Sequence, residues 1–239
     1  MGNEFARGEV SSHQHKRAQL VYAEEGVLET HAVNKLWLVP PQQVFWIPPE
    51  IPHSMTAVSR VKTKSFFIDP MFCLPEMPSN PKTFNATPLL RELLIRAATI
   101  KPLYNEQGLD GSIMELVLKE IDWKDSDVFT VGWPKDSRLR IICSVIKESP
   151  NDSRTLEQWG ELVGATSRTL TRKFRQETGM PFSSWRQHMR VLKAQSLLLE
   201  GAPVTDVALA VGYESHSSFS AVFLRITGRQ PHLYRDLSG

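Results

Sequence analysis

Two patterns of apolar and polar positions divide the chain. Apolar and polar residues alternate in short runs at residues 20–22, 27–31, 35–39, 44–47, 55–58 and 63–68. Turn residues separate the runs, at Glu24-Glu25-Gly26, Asn34, Pro40-Pro41 and Pro48-Pro49-Glu50. A period of two marks strands, and many short strands broken by Pro and Gly predict a β-barrel or jelly roll. After Ser79-Asn80-Pro81 and Thr87-Pro88 the period lengthens. Leu90, Leu93, Leu94 and Ala97 make one helical stripe, and Ile113, Leu116, Val117 and Ile121 a second, with Glu120 near its end. Two amphipathic helices need a surface to bury those stripes, either the barrel or a two-fold axis in a homodimer. Residues 125–136 then read as a partly docked connection, with Asp125, Ser126, Gly132 and Pro134 beside Val128, Phe129 and Trp133.

The remaining third carries one pattern twice. Val163-Gly164, Leu170, Phe174, Thr178-Gly179 and Pro181 is echoed by Val211-Gly212, Phe219, Phe223, Thr227-Gly228 and Pro231. Each copy predicts a helix, a glycine turn and a second helix stopped by Thr-Gly. In the first copy Leu170 and Phe174 share one helical face, and Arg168, Arg172 and Arg175 share another. An inner apolar face and an outer row of guanidinium groups suit the major groove, where Arg binds guanine O6 and N7 bidentately. Residues 182–199, with Trp185, Met189, Leu192 and Ser196 on one stripe, predict a connecting rod of about 27 Å. That is near the roughly 34 Å of one duplex turn, so both reading helices could enter successive major grooves.

In the second copy the places of Arg168, Arg172 and Arg175 are taken by Ser217, Ala221 and Leu224. Thr169 and Thr171 correspond to Ser218 and Ser220. The candidate DNA-contacting set is therefore Ser167, Arg168, Thr169, Thr171, Arg172, Arg175, His216, Ser217, Ser218 and Ser220. The first helix carries most of the base discrimination and the second mostly positions. Thr155 and Gln158 form a capping-box pattern, and Thr166 or Ser167, and then Ser215, are placed to cap the reading helices.

Charge follows this division. Residues 135–239 hold 15 Lys and Arg against 10 Asp and Glu, whereas the preceding residues hold 13 against 16. The positive excess lies where phosphate contacts are needed. Cys73 and Cys143 lie far apart without CxxC spacing, so neither a zinc finger nor a disulfide framework is suggested, and they read as reduced thiols. No apolar run is long enough to span a membrane and no secretory signature opens the chain, so a cytoplasmic protein with no membrane partner is expected.

Within the barrel stretch, His13, His15, Gln19 and Gly26 are followed by Pro48, Glu50 and His53. Two histidines at i and i+2 on a strand point to one face and can reach one ion. This spacing resembles the metal-binding motifs of the cupin superfamily, in which two histidines, a glutamate and a later histidine hold a divalent transition metal. Here Gln19 takes the glutamate position, and Gln42 and Glu50 stand where glycines are expected. The candidate metal set is thus His13, His15, Gln19 and His53, for zinc, nickel or iron; alternatively these histidines hydrogen-bond within a ligand pocket. Alternation suggests Tyr22, Trp37, Phe45 and Trp46 as effector-pocket residues, or as core.

Residues 156–235 resemble the double helix-turn-helix domain of the AraC/XylS family of bacterial transcription regulators. The resemblance is carried by Arg172-Lys173-Phe174, Glu177-Thr178-Gly179, Pro181, Ala194-Gln195-Ser196-Leu197-Leu198, Val204 to Gly212, Phe219-Ser220, Phe223, Thr227-Gly228, Pro231 and Tyr234-Arg235. In that family an arginine often stands where Ala221 is, and a cupin-like sensor is a common N-terminal companion. The fold expected is two domains, α+β overall: a cupin-like sensor barrel at 1–78, a helical segment at 79–128, a linker at 129–136 and an all-α double helix-turn-helix domain at 137–239. The function expected is a transcription activator or repressor that binds double-stranded DNA under a small-molecule or metal effector, engaging RNA polymerase if it activates. The competing class is a metal-dependent cupin enzyme with a helical accessory domain. Three histidines and a neutral amide offer such an enzyme no obvious acid or base.

Overall fold

The computed structural model describes residues 2–5, 8–58, 61–124 and 130–235. The chain divides into two units, Met1–Val33 with Leu38–Val128, and Asn34–Trp37 with Phe129–Gly239.

The first unit is built on two antiparallel sheets. One has the order β1 (Gly2–Phe5), β8 (Val61–Ile68), β3 (Ala18–Glu25), β6 (Gln43–Ile47), β9 (Lys82–Asn85). The other runs β4 (Leu28–Ala32), β7 (His53–Ala57), β2 (Glu9–His13), while β5 (Lys35–Val39) is divided between the two units, residues 35–37 belonging to the second. Strand β3 sets the two faces of its sheet. Leu20 lies opposite Trp46 on β6 and Phe66 on β8. With Ala18, Tyr22, Val44, Ile68 and Phe84, these residues form an apolar layer. Helices α1 (Pro88–Ala97) and α2 (Leu109–Glu120) cover that layer through Leu90, Leu94, Ala97 and Val117, joined by Ile121 and Trp123. The two stripes therefore bury against the barrel, as in the first of the two sequence alternatives, except for Leu116, which stays exposed. Helix α1 begins at Thr87, whose hydroxyl accepts from the Leu90 amide at 3.0 Å, and Pro88 needs no partner in the first turn.

Strand β9 pairs with β6 from Gln43↔Asn85 to Trp46↔Lys82, so the sheet runs past the barrel boundary expected at residue 78. Four residues after a proline carry too little alternation to announce a strand.

In the second unit, the described part of the connection, residues 130–136, is docked by specific contacts, in line with the partly docked connection expected. Strand β10 (Thr130–Gly132) pairs with residues 35–37, and Trp185 Nε1 donates to the Gly132 carbonyl at 2.8 Å. A Cβ at Gly132 would lie 2.5 Å from the Thr178 carbonyl oxygen, so only glycine permits this approach. Asp125, Ser126, Val128 and Phe129 lie outside the described residues.

Helices α3 (Ser137–Glu148), α4 (Leu156–Val163), α5 (Ser167–Thr178), α6 (Phe182–Leu199), α7 (Val204–Ala210), α8 (His216–Thr227) and α9 (Pro231–Arg235) complete the unit. Thr155 and Gln158 make both bonds of the capping box that opens α4, and Gly164, at φ 67°, closes it. Leu170 and Phe174 are fully buried on α5, as are Phe219 and Phe223 on α8. Each phenylalanine anchors its reading helix; truncation to Ala would cost about 3–5 kcal/mol. The 18-residue α6 is the rod, with Phe182, Trp185, Met189, Leu192 and Ser196 buried along it.

Candidate nucleic-acid interface and barrel pocket

Helix α5 presents two chemically opposite sides. Its inner side is Leu170, Phe174 and Thr178, all buried; Arg168, Thr171, Arg172, Arg175 and Gln176 are exposed. Thr166 caps the helix, its hydroxyl accepting from the Thr169 amide at 3.2 Å. Thr171 Oγ1 donates back to the Ser167 carbonyl at 2.8 Å, which leaves its methyl and the oxygen's two lone pairs for a partner. A cleft of about 750 Å³ opens along this side, lined by Ser167, Arg168, Thr169, Arg172, Arg175 and Gln176, with Glu157 of α4 also in its wall. The structure thus brings together all six first-helix candidates, since Thr171 lines the cleft as well. It adds Gln176, whose Oε1 accepts from Arg172 Nη1 at 3.4 Å. Gln176 is one turn beyond Arg172, so the same helical spacing could have found it.

The second reading helix differs. His216, Ser217 and Ser218 are exposed at its N-terminus. Ser218 Oγ donates to the Ser215 carbonyl at 2.9 Å, so that hydroxyl is part of the cap. Ser220 is a correction: its hydroxyl oxygen is buried, and its exposed counterpart Thr171 misled the transfer. Arg225, four residues beyond the exposed Ala221, supplies the cation that the sequence pairing overlooked. It stands where Gln176 stands in the first helix, and its Nη2 donates to Gln187 Oε1 at 2.9 Å.

In the barrel unit, His13, His15 and His53 come together. His13 and His53 are cross-strand partners on β2 and β7, with ring centroids 4.4 Å apart; His15 lies 5.1 Å from His53. One nitrogen from each ring falls within 4.8 Å of the others. His53 is buried, and its Nδ1 bonds the Ile51 carbonyl at 2.8 Å. That bond fixes the proton on Nδ1 and leaves Nε2 as a buried lone pair with no hydrogen-bond partner. Burial pushes the His53 pKa down, His13 and His15 add to the shift, and the Ile51 carbonyl opposes it, so the ring is neutral at physiological pH.

His15 Nδ1 faces the Arg17 carbonyl and its Nε2 lies 3.1 Å from Gln19 Oε1. The same Gln19 amide donates through its Nε2 to Ser65 Oγ at 3.4 Å, so both ends of the amide are engaged. Gln19 is then a hydrogen-bonding neighbour of the triad rather than a ready ligand. The backbone keeps the expected turns without glycine: Gln42 has φ 67° and Glu50 φ 60°, and the Glu50 amide donates to the His15 carbonyl at 2.9 Å.

A cavity of about 160 Å³ adjoins the triad, lined by His13, Gln19, Val21, Leu28, Met55, Thr63, Ser65 and Phe67 among others. The proposed pocket residues Tyr22 and Trp46 are on the opposite face of the sheet, under α1 and α2, with Trp46 edge-on to Trp123 at 5.2 Å. Trp37 and Phe45 are buried core residues outside that lining. Strand parity is the reason: on β3 the cavity takes Gln19 and Val21, so Leu20 and Tyr22 must face away.

No helix among the described residues is long and apolar enough to cross a membrane. A profile of the AraC-like ligand binding domain matches residues 4–74, and one of a helix-turn-helix domain matches residues 159–236. The regulator NimR of Escherichia coli (strain K12) is 28% identical over 222 residues, covering 93% of this chain and 81% of that protein. RipA of Corynebacterium glutamicum is 37% identical over 134 residues, 56% of this chain and 38% of RipA. The arabinose operon regulatory protein of Escherichia coli (strain K12) is 32% identical over 144 residues, 59% of this chain and 48% of that protein. For these last two the chain spans less than two thirds of the relative's length. The barrel and the paired reading helices thus match the two halves of one known arrangement, and the chain belongs to the AraC family of transcriptional regulators.

Proposed function

We propose that this chain is a sequence-specific DNA-binding transcription regulator whose barrel binds a small-molecule effector. One observation carries the DNA half: α5 buries Leu170 and Phe174 completely while Arg168, Arg172 and Arg175 stand in solvent along an open cleft. Guanidinium groups so placed reach guanine edges and phosphates, and the uncharged N-terminal face of α8 suits positioning. The effector half rests on the 160 Å³ cavity, whose Gln19, Thr63 and Ser65 can orient a small polar molecule among apolar walls. A second reading, that a divalent transition metal is the effector or part of its site, is favoured by the orphaned Nε2 of His53. His13, His15 and His53 would hold the ion, which would present a Lewis-acidic position to an oxygen or nitrogen donor.

Cytoplasmic action on a promoter, a homodimer, and contact with RNA polymerase if the protein activates, belong to the same reading. Exposed Leu109 and Leu116 on α2 supply an apolar edge for a second copy. Selection of duplexes from fragmented genomic DNA by the full-length protein, across a range of salt and with candidate effectors, tests it. Enrichment of a common sequence is expected, with affinity falling steeply as salt rises. Equal recovery of all fragments would overturn it.

A further inference from the structure

Arg190 stands on the inner side of α6, midway along the rod between the two helix pairs. Its half-buried guanidinium makes two bonds in different directions. Nε donates to the Pro150 carbonyl at 2.9 Å, in the turn that leads into α4, and Nη1 donates to the Gly212 carbonyl at 3.0 Å, in the turn between α7 and α8. The plane also lies 5.4 Å from the Tyr213 ring. One side chain on the rod therefore bonds the approach to the first helix pair and the turn of the second.

The surroundings are shaped to this fork. Gly212 has φ 85°, and a Cβ there would meet Arg190 Nη2 and the Asn151 Cα, each at 2.8 Å. Glycine is thus required twice at this turn, by backbone conformation and by the closeness of the guanidinium. Burial, with Arg186 nearby, disfavours the charge on Arg190, Tyr213 and Asp152 favour it, and the two carbonyls replace water lost from the guanidinium. Arg186 repeats the device, donating to the Arg154 carbonyl at 2.9 Å. A planar guanidinium holds two acceptors at a fixed angle; a lysine ammonium on a flexible stem does not.

We propose that Arg190 is a positioning residue that fixes α8 relative to α5 and so sets the spacing of half-sites that the protein accepts on DNA. This rests on the DNA-reading function. Neither reading helix touches Arg190 through a base-contacting side chain, so its effect is on their joint placement. Binding two half-sites at once depends on that geometry, because the second contact gains only where the linkage spans the sites.

The experiment uses full-length protein and a duplex enriched by the wild type from a random library, in three forms: both half-sites intact, the second half-site scrambled, and one base pair inserted between them. Arg190→Lys and Arg190→Gln are each compared with the wild type. The wild type should prefer the intact duplex strongly to both altered forms. In the variants, affinity for the intact duplex should fall by about tenfold or more while affinity for the single half-site stays within about twofold, and the inserted base pair should no longer matter. Unchanged binding to the intact duplex, or equal losses on all three in both variants, as misfolding would give, overturns the inference. A wild type that selects no duplex refutes the DNA-reading function itself, so the two failures are distinct.

Discussion

Lys173 Nζ lies 2.7 Å from Asp136 Oδ2, joining the back of the first reading helix to the start of α3. Asp136 also accepts from Arg138, and its neighbour Glu177 accepts from the Lys135 and Asp136 amides at 2.7 and 2.9 Å. The Arg138 guanidinium first, and Lys173 second, hold the Asp136 carboxyl well below the usual carboxylate range. Lowered in the fold, its pKa makes a contribution that is present above the ordinary 3.8 and lost as pH falls below it. Asp136→Asn keeps the cap on Arg138 but removes the charge. It should lower stability by about 1 kcal/mol near neutral pH, with the deficit shrinking as acid protonates the wild-type carboxylate. Thermal unfolding of both proteins along a pH series checks this; a gap independent of pH would remove the ion pairs from the account.

Arg168→Ala and Arg172→Ala should each weaken binding to the selected duplex by about 1–3 kcal/mol if the side chain reads a guanine, and relax preference at one base position. Ala221→Arg, on the exposed side of α8, should instead strengthen binding to all duplexes and steepen the salt dependence by about one phosphate contact. Titrations at several salt concentrations separate these outcomes. A uniform loss in Arg168→Ala, with base preference intact, would make that residue a phosphate contact.

The helix pairs were legible in the sequence because their signals are local: apolar spacing of four, a capping box at Thr155 and Gln158, and Thr-Gly stops. The barrel's runs were legible for the same reason, but which face of β3 points inward depends on what covers the other. Tyr22 and Trp46 alternate correctly either way, and only α1 and α2, distant in sequence, decide that they lie beneath helices. Strand β10 was hidden likewise, since three residues become a strand only when residues 35–37 pair with them. The burial of the Ser220 hydroxyl shows the limit of the repeat, which transfers positions between copies but not the rotation of a short polar side chain.

Gln42 holds φ 67° at a turn where a glycine would carry no Cβ penalty. A left-handed residue with a side chain costs roughly 1–2 kcal/mol, and glycine returns about 0.5–1 kcal/mol of that through its freer unfolded chain. Gln42→Gly should therefore stabilise the barrel by about 0.5–1 kcal/mol, raising its melting temperature by a few degrees. Its amide bond to the Ala23 carbonyl and the Ala86 amide bond to its own carbonyl are backbone contacts that the substitution keeps. A lower melting temperature would mean that the Gln42 side chain contributes more than the backbone conformation withholds.

The triad supplies the sharpest test in the barrel. His53 offers a neutral, buried Nε2 aimed with His13 and His15 at one point, whereas Gln19 contributes no charge. Purified wild type should take up zinc or nickel, and His53→Ala should lose that binding, because removing the one buried ligand leaves two partly solvated rings. Gln19→Glu should bind the metal at least about tenfold more tightly, since a carboxylate neutralises part of the ion's charge, yet unfold at lower temperature without metal because its carboxylate is buried. Acid should release the ion, because protons compete with it for the ring nitrogens. Calorimetric titration with each metal across a pH series reads the binding effects, and thermal unfolding of the metal-free proteins reads the stability loss in Gln19→Glu. Absence of binding in both wild type and Gln19→Glu would leave the three rings as the hydrogen-bonding wall of an organic effector's pocket.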